Sequence, residues 1–215
     1  MDDIYGGYAP RLHEVEAMLC EAVAALGEAE RARTGHSVIE HVRSRVKEPE
    51  SMREKCLRHG LAPTPENALT VIHDAVGLRI VTRFIDDIDR LATLIRALPG
   101  IEVTGEKDYV RSAKPNGYRS YHMILWVETP FEDITGQTPG HIFAEVQLRT
   151  IAMDTWASLE HELHYKQDIP GERLIAAELK RVADELASCD VSMQTIRNLI
   201  RQGQAEGRGA KEEQP

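Results

Sequence analysis

At 215 residues, with 42% hydrophobic and 28% charged side chains, the chain suits one well-packed domain with helical extensions, and these fractions exclude disordered, collagen-like and membrane classes. The net charge of −9 argues against general nucleic-acid binding, for which a broad basic surface supplies the affinity. Cys20, Cys56 and Cys189 are widely spaced and lack a CxxC pair, which argues against a disulfide framework or a zinc site.

The opening MDDIYGGYAP is acidic and has no apolar core of the secretory kind. Every apolar run stops short of the roughly 20 residues a membrane span needs, so a cytoplasmic protein is expected. From Pro10 to about Arg33, Leu12, Val15, Leu19, Val23 and Leu26 recur at helical spacing. A second helix is predicted over His36 to Lys47, and a third starts at Pro49, in its first turn, and runs through Leu57. Gly60 and Pro63 close that section. The pattern then changes: AVGLRIVTRF, Ala75 to Phe84, is short, apolar and rich in β-branched residues, and IDDIDRLATLIRAL has helical period with Asp86 and Asp87 near its start.

Strand followed by helix predicts an α/β core. IEVTG, YHMILWV and HIFAEVQLRT supply three further strands, and Ile151 to Lys166 a helix. The longest helical pattern runs from Gly171 to about Arg201, and the small, polar residues 204–215 after it are expected to be disordered. A single domain over 1–203 follows, with its core at about 36–166.

The cations are not evenly spread. Arg43, Arg45, Lys47, Arg53, Lys55 and Arg58 fall in one stretch, and Lys107, Arg111, Lys114 and Arg119 in another. An acidic protein that gathers positive charge in two places is suited to a compact polyanion; solvated helix faces and loops are the alternative. Read as helices, the first stretch puts Arg43 with Lys47, and Ser51 with Lys55, on shared faces. Arg45 or Arg79 is then available to stack on a purine.

Two carboxylates occupy strand positions where they are unexpected. Asp74 precedes the apolar strand, and Glu145 interrupts IFAEVQL. A buried carboxylate needs a partner, and a hard cation such as Mg²⁺ shared with substrate phosphates would serve both. A turn-capping Asp74 and a solvent-facing Glu145 are the alternatives. The loop KPNGYRSYH, Lys114 to His122, sets Tyr118 between cations just before a strand, an arrangement able to stack on a second base. Two nucleotide sites with a metal between them would support phosphoryl transfer. His73-Asp74 lacks the further histidine and aspartate of a phosphohydrolase metal cluster, and HELH, His161 to His164, is one residue short of HExxH spacing.

In order, SRVKEPESMREK, DAVGLRIV, KDYVRSAKPNGYRSYH, AEVQLRT and MDTWASLEHELHYK resemble the synthetase domain of the RelA/SpoT family, and the length resembles its stand-alone small alarmone synthetases. The resemblance implies a nucleotidyltransferase-like α/β fold, a mixed sheet flanked by helices. It implies transfer of the β,γ-pyrophosphate of ATP to the 3′-hydroxyl of GDP or GTP, with GMP a further candidate, to give the alarmones of the stringent response. By resemblance Asp74 and Glu145 are catalytic and hold Mg²⁺, with Glu145 either a metal ligand or the base. Arg45 and Arg79 would sandwich adenine, and Lys47, Ser51 and Lys55 would meet the ATP phosphates. Lys114, Asn116, Tyr118, Arg119 and His122 would line the acceptor side, with Gln147 and Arg149 supporting them.

Departures from the family pattern lie beside that loop: Tyr121 where leucine is usual, and Ser112-Ala113 in place of a segment that often carries proline. They leave the acceptor preference open. The resemblance further implies a homotetramer built through the terminal helices; without the regulatory domains of the long family members no ribosome partner is expected, and the short apolar runs imply no membrane partner. A toxin-like relative that modifies adenosine nucleotides or tRNA would need a basic surface for tRNA. A silent sensor would have lost a carboxylate or Tyr118, and both are present.

Overall fold

The structure is a computed structural model that describes residues 3–164 and 172–212. After a short 3₁₀ turn at Gly6–Tyr8, helix α1 spans Ala9–Thr34, followed by strand β1 (Ile39–Val46) and helix α2 (Pro49–Arg58). A π-type turn, Asn67–Val71, leads to β2 (Val76–Thr82) and α3 (Ile85–Arg96). Then come β3 (Ile101–Asp108), β4 (Tyr121–Thr129), β5 (Gly140–Thr150), α4 (Ile151–His164) and α5 (Glu172–Glu212).

The five strands form one sheet in the order β1-β2-β5-β4-β3. Only β2 and β5 run parallel; the other neighbours are antiparallel. This is the mixed sheet flanked by helices expected from the sequence. Its two faces differ because the side-chain period of a strand is two. On β5, Ile142, Ala144, Val146 and Leu148 are buried, while His141, Phe143, Glu145 and Gln147 between them are half-buried. Leu78 and Ile80 of β2 and Met123 and Leu125 of β4 join the buried set with Leu12, Val15 and Leu19 of α1 and Ile88, Leu91 and Ile95 of α3. The apolar face therefore carries the core, and the polar face is left for chemistry.

The stretch His36 to Lys47 corrects a sequence expectation, because it contributes a strand and no helix. The segment VRSRVK alternates apolar or small residues with cations, and seven residues of β1 pair antiparallel with β2 from Ile39↔Thr82 to Val46↔Val76. Cross-strand pairing at a sheet edge overrides the weak four-residue spacing. As a result Arg43 and Arg45 share one face by alternation. The helix at Pro49 is as expected, with proline in its first turn.

Helix α5 runs on to Glu212, into the tail expected to be disordered from 204. Proline, the residue that would stop it, does not occur between Glu172 and Gln214, so the glycines there weaken the helix without breaking it. The expected end of α4 at Lys166 lies outside the described residues. Aspartates tie α5 to the body. Asp190 accepts from the Thr150 hydroxyl at 2.6 Å, and Arg197 pairs with buried Asp87 at 2.7 Å while lying over the Phe84 ring.

Candidate active site

Sheet register explains the site. Residues paired across strands point the same way, so Arg43, Arg79, Gln147, His122 and Lys107 make one row on the polar face. The next row holds Arg45, Gly77, Glu145, Ile124 and Gly105. A cavity of about 250 Å³ opens over these rows, lined by Arg43, Ser44, Arg45, Asp74, Gly77, Leu78, Arg79, Glu145 and Gln147. Gly77 forms part of its floor: a Cβ added there meets nothing nearer than a backbone oxygen at 4.0 Å.

Asp74 stands at the mouth of β2. Its Oδ2 accepts from Lys55 Nζ at 2.6 Å and pairs with Lys47 Nζ at 3.0 Å, while its Oδ1 is buried without a hydrogen-bond partner. Lys55 reaches it from α2, half-buried, with exposed Ser51 one turn earlier on the same helix face. Lys47 arrives from the end of β1, held there by a bond from its backbone N–H to the Ala75 carbonyl at 2.8 Å. Helix and strand thus aim two cations at one carboxylate.

Glu145 is the centre of a closed hydrogen-bonded ring. His122 Nδ1 lies 2.9 Å from its Oε1, and Gln147 Nε2 donates to its Oε2 at 2.9 Å. A carboxylate only accepts, so Nδ1 of His122 carries a hydrogen, and its Nε2 lies 2.9 Å from the Tyr118 hydroxyl oxygen. Arg149 Nη2 closes the ring, donating to the Tyr118 oxygen and to Gln147 Oε1, both at 2.7 Å. Burial pushes the Glu145 carboxyl pKa up, but the bond and charge of His122, then the Gln147 bond and the Lys55 charge, outweigh it and leave it at about 2.

The acceptor loop is shaped by its own backbone. Asn116 Oδ1 accepts from the Tyr118 N–H at 3.1 Å, and Lys114 N–H donates to the Tyr118 carbonyl at 3.1 Å. Gly117 has φ +94°, and α5 approaches so closely that a Cβ there would sit 2.5 Å from Ala183 Cβ. Lys114 Nζ lies 4.7 Å from the Tyr118 ring centre and 4.8 Å from that of Tyr109.

The residues expected at the site are therefore mostly gathered. Arg45, Arg79, Asp74, Glu145 and Gln147 line the cavity, Lys47 and Lys55 reach it through Asp74, Tyr118, His122 and Arg149 adjoin it through the ring, and Lys114 lies over the Tyr118 ring. Arg119 faces elsewhere: its Nη1 donates to the Val110 carbonyl at 2.7 Å, and it lines a crevice with Trp156, Ala183 and Asp190 under α5. Asn116 forms the loop turn, with Glu160 at 3.5 Å as its other partner. Sequence reasoning passed over Gly77, Tyr109 and Asp154. The small residue inside an apolar strand was the available signal for Gly77. His73 stacks on Phe143 at 3.8 Å, which accounts for it without a metal.

A groove with two carboxylates, paired lysines on one flank and a cation-flanked tyrosine on the other defines a transferase that handles polyphosphates. The chain belongs to the RelA/SpoT family: the family model described as "Region found in RelA / SpoT proteins" matches residues 44–170, more than half its length. It is 39% identical to GTP pyrophosphokinase YwaC of Bacillus subtilis (strain 168) over 166 residues, 77% of each chain. Against GTP pyrophosphokinase YjbM of the same organism it is 34% identical over 170 residues, 79% of this chain and 77% of the relative. Among solved structures, small alarmone synthetase 1 from Bacillus subtilis bound to its product pppGpp superposes with a TM-score of 0.73 at 32% identity, over 90% of this chain and 94% of that one.

Proposed function

We propose that this chain is a (p)ppGpp synthetase, transferring the β,γ-pyrophosphate of ATP to the 3′-hydroxyl of GDP or GTP. The observation that carries it is the placing of Asp74 and Glu145 in one cavity between the lysine pair and the Tyr118 ring. In the reaction the 3′-oxygen attacks the β-phosphorus and the bond from that phosphorus to the α-phosphate oxygen breaks. AMP leaves, and the hydroxyl proton passes to a base.

Arg45 and Arg79 sit beside Gly77, where a flat base can lie against guanidinium planes. Lys47 and Lys55 meet the triphosphate, exchanging Asp74 for phosphate oxygens. Tyr118 stacks on the acceptor base, with Lys114 for its phosphates. The alcohol is a weak nucleophile, so alignment of the two nucleotides is the main contribution, and an aligned pair recovers roughly 7–11 kcal/mol of barrier.

Mg²⁺ fits the residues present. Among the described residues no three His, Cys, Asp or Glu side chains gather as a metal cage, and Asp74 Oδ1 is buried with no partner. That suits a cation which takes one or two carboxylates, here Asp74 and Glu145, and completes its shell with phosphate and water. When bound it would neutralise charge on the transferred phosphates. With its pKa at about 2, Glu145 as arranged suits this charge-balancing role better than that of general base, for which a value near the working pH is best.

The proposal includes assembly as a homotetramer in the cytoplasm. Leu174, Val191, Ile196, Leu199 and Ile200 of α5 are exposed apolar residues that support association, and no described helix is long and apolar enough to cross a membrane. Light scattering on the purified protein measures the assembly.

The deciding experiment incubates the protein with Mg²⁺, ATP labelled in its β,γ-phosphates and, separately, GDP, GTP, GMP, no acceptor or bulk tRNA. Label on a guanosine nucleotide with release of AMP is expected, and is lost in Glu145→Gln with an unchanged melting temperature. Label on adenosine or tRNA alone sinks the assignment.

A further inference from the structure

Asp154 lies in the first turns of α4, buried and outside the cavity lining, yet it touches both halves of the site. Its Oδ1 is 3.2 Å from Nη1 of Arg79 and accepts from Nη1 of Arg149 at 3.2 Å. His41 Nε2 stands 3.9 Å from the other oxygen. Arg79 belongs to the cavity wall where ATP is proposed to bind, and Arg149 holds the hydroxyl of Tyr118, on which the acceptor is proposed to stack.

We propose that Asp154 is a positioning residue that couples the two nucleotide subsites by clamping Arg79 and Arg149 at one carboxylate oxygen. The inference rests on the synthetase reading for the names of the two ligands, and on geometry for the coupling itself.

Two guanidinium groups at one oxygen repel each other, and both are partly or wholly withdrawn from water: the Arg149 side chain is 4% exposed and that of Arg79 33%. Only a negative charge between them makes the arrangement stable. Arg149 has other partners, in Tyr118, Gln147 and the Ser120 hydroxyl at 3.4 Å, but all of these are neutral. Without the Asp154 charge the two arginines separate. Arg79 then leaves the wall of the ATP pocket, and Arg149 releases the Tyr118 and Gln147 arms of the ring around Glu145.

The position of Asp154 on α4 adds a rigid reference. The Trp156 indole, two residues on, donates to the Leu179 carbonyl at 2.8 Å and meets the Tyr118 ring edge-on at 6.4 Å, so α4 is fixed to α5 and to the acceptor loop together. A carboxylate on this helix sets donor and acceptor walls in a common frame.

The test is equilibrium binding by calorimetry to wild type, Asp154→Asn, Arg79→Ala and Tyr118→Ala. The ligands are GDP and, separately, an ATP analogue with a methylene between its α- and β-phosphorus atoms. Asp154→Asn, which keeps the shape and removes the charge, is expected to weaken both ligands by roughly 10- to 100-fold. Arg79→Ala is expected to weaken only the analogue and Tyr118→Ala chiefly GDP. An Asp154→Asn protein that melts normally and loses one ligand alone, or neither, overturns the proposal.

Should that variant fail to fold, Asp154→Glu decides. Retaining the charge, it is expected to fold and to bind both ligands with intermediate affinity, and a loss confined to one ligand, or none, overturns the coupling. The synthetase reading fails separately, if wild type binds both nucleotides yet transfers no label to a guanosine acceptor. The coupling is then still judged by the binding data.

Discussion

Nδ1 of His122 lies 2.9 Å from Oε1 of Glu145, and the opposite nitrogen of the same ring is hydrogen-bonded to the Tyr118 hydroxyl, also at 2.9 Å. The residue proposed to stack on the acceptor base is thus bonded, through one imidazole, to the carboxylate at the reacting centre. Tyr118 therefore has two separable jobs. Tyr118→Ala removes the ring and is expected to raise the acceptor KM by roughly 5- to 150-fold, the range of about 1–3 kcal/mol for base stacking, with the ATP KM changed far less. Tyr118→Phe keeps the stack and cuts the ring of hydrogen bonds, so kcat falls while the acceptor KM stays near wild type. Steady-state kinetics of both variants measure the split, and equal KM effects in the two would refute it.

Gly77 leaves the cavity floor open where Arg45 and Glu145 flank it in the same sheet row. Valine suits a strand, so Gly77→Val is expected to keep the fold and fill the pocket. The KM for ATP rises by about tenfold or more, the scale of an added side chain in a shaped pocket, while the acceptor KM moves little. Circular dichroism and initial rates check this, and normal ATP affinity counts against the donor site.

Gly117 is needed twice, for its φ of +94° and for the 2.5 Å that a Cβ would leave to Ala183. Gly117→Ala is expected to cost about 1–3 kcal/mol and to push the acceptor loop off α5. A lower melting temperature together with a raised acceptor KM is the expected result. A melt identical to wild type would mean that α5 does not hold the loop.

Glu30 joins α1 to α3, accepting from Arg90 at 2.8 Å and 2.9 Å and from Arg33 at 2.6 Å and 3.0 Å. The Arg90 bonds, then those of Arg33, hold its carboxyl pKa at about 2, below the ordinary 4.5. A depressed acid stabilises the fold fully above its unfolded value, and that contribution disappears as pH falls from about 4.5 towards 2. Glu30→Gln is expected to melt several degrees below wild type at pH 7, with the gap closing across that window. Thermal melts at a series of pH values check it, and a gap independent of pH refutes the assignment.

Much of the candidate site was legible because the residues that compose it are neighbours in the chain. Lys114, Tyr118 and His122 lie within one loop and strand entry, and Ser51 and Lys55 on one helix face, so their types and spacing point to phosphate and base contacts. Arg119 shows the limit: adjacency to Tyr118 grouped it with the acceptor residues, but its side chain lies under α5, donating to the Val110 carbonyl and lining a crevice with Asp190. Asp154 shows the converse. An aspartate early in a helix reads as a favourable end charge, and its two arginines come from β2 and β5, 75 and five residues away in the chain.

The sequence by itself determined the strand and helix periods of the core, the gathering of cations into two segments and the family motifs, since all of these are properties of neighbours along the chain. Tertiary structure alone decided that Ile39–Val46 pairs as a strand, which oxygen of Asp74 is left free, and that Glu145, His122, Tyr118, Arg149 and Gln147 close into a ring. The physical reason is register. Which residues of β1, β2, β4 and β5 share a row depends on hydrogen bonds between strands far apart in sequence, and a slip of one residue would turn every one of these side chains to the other face.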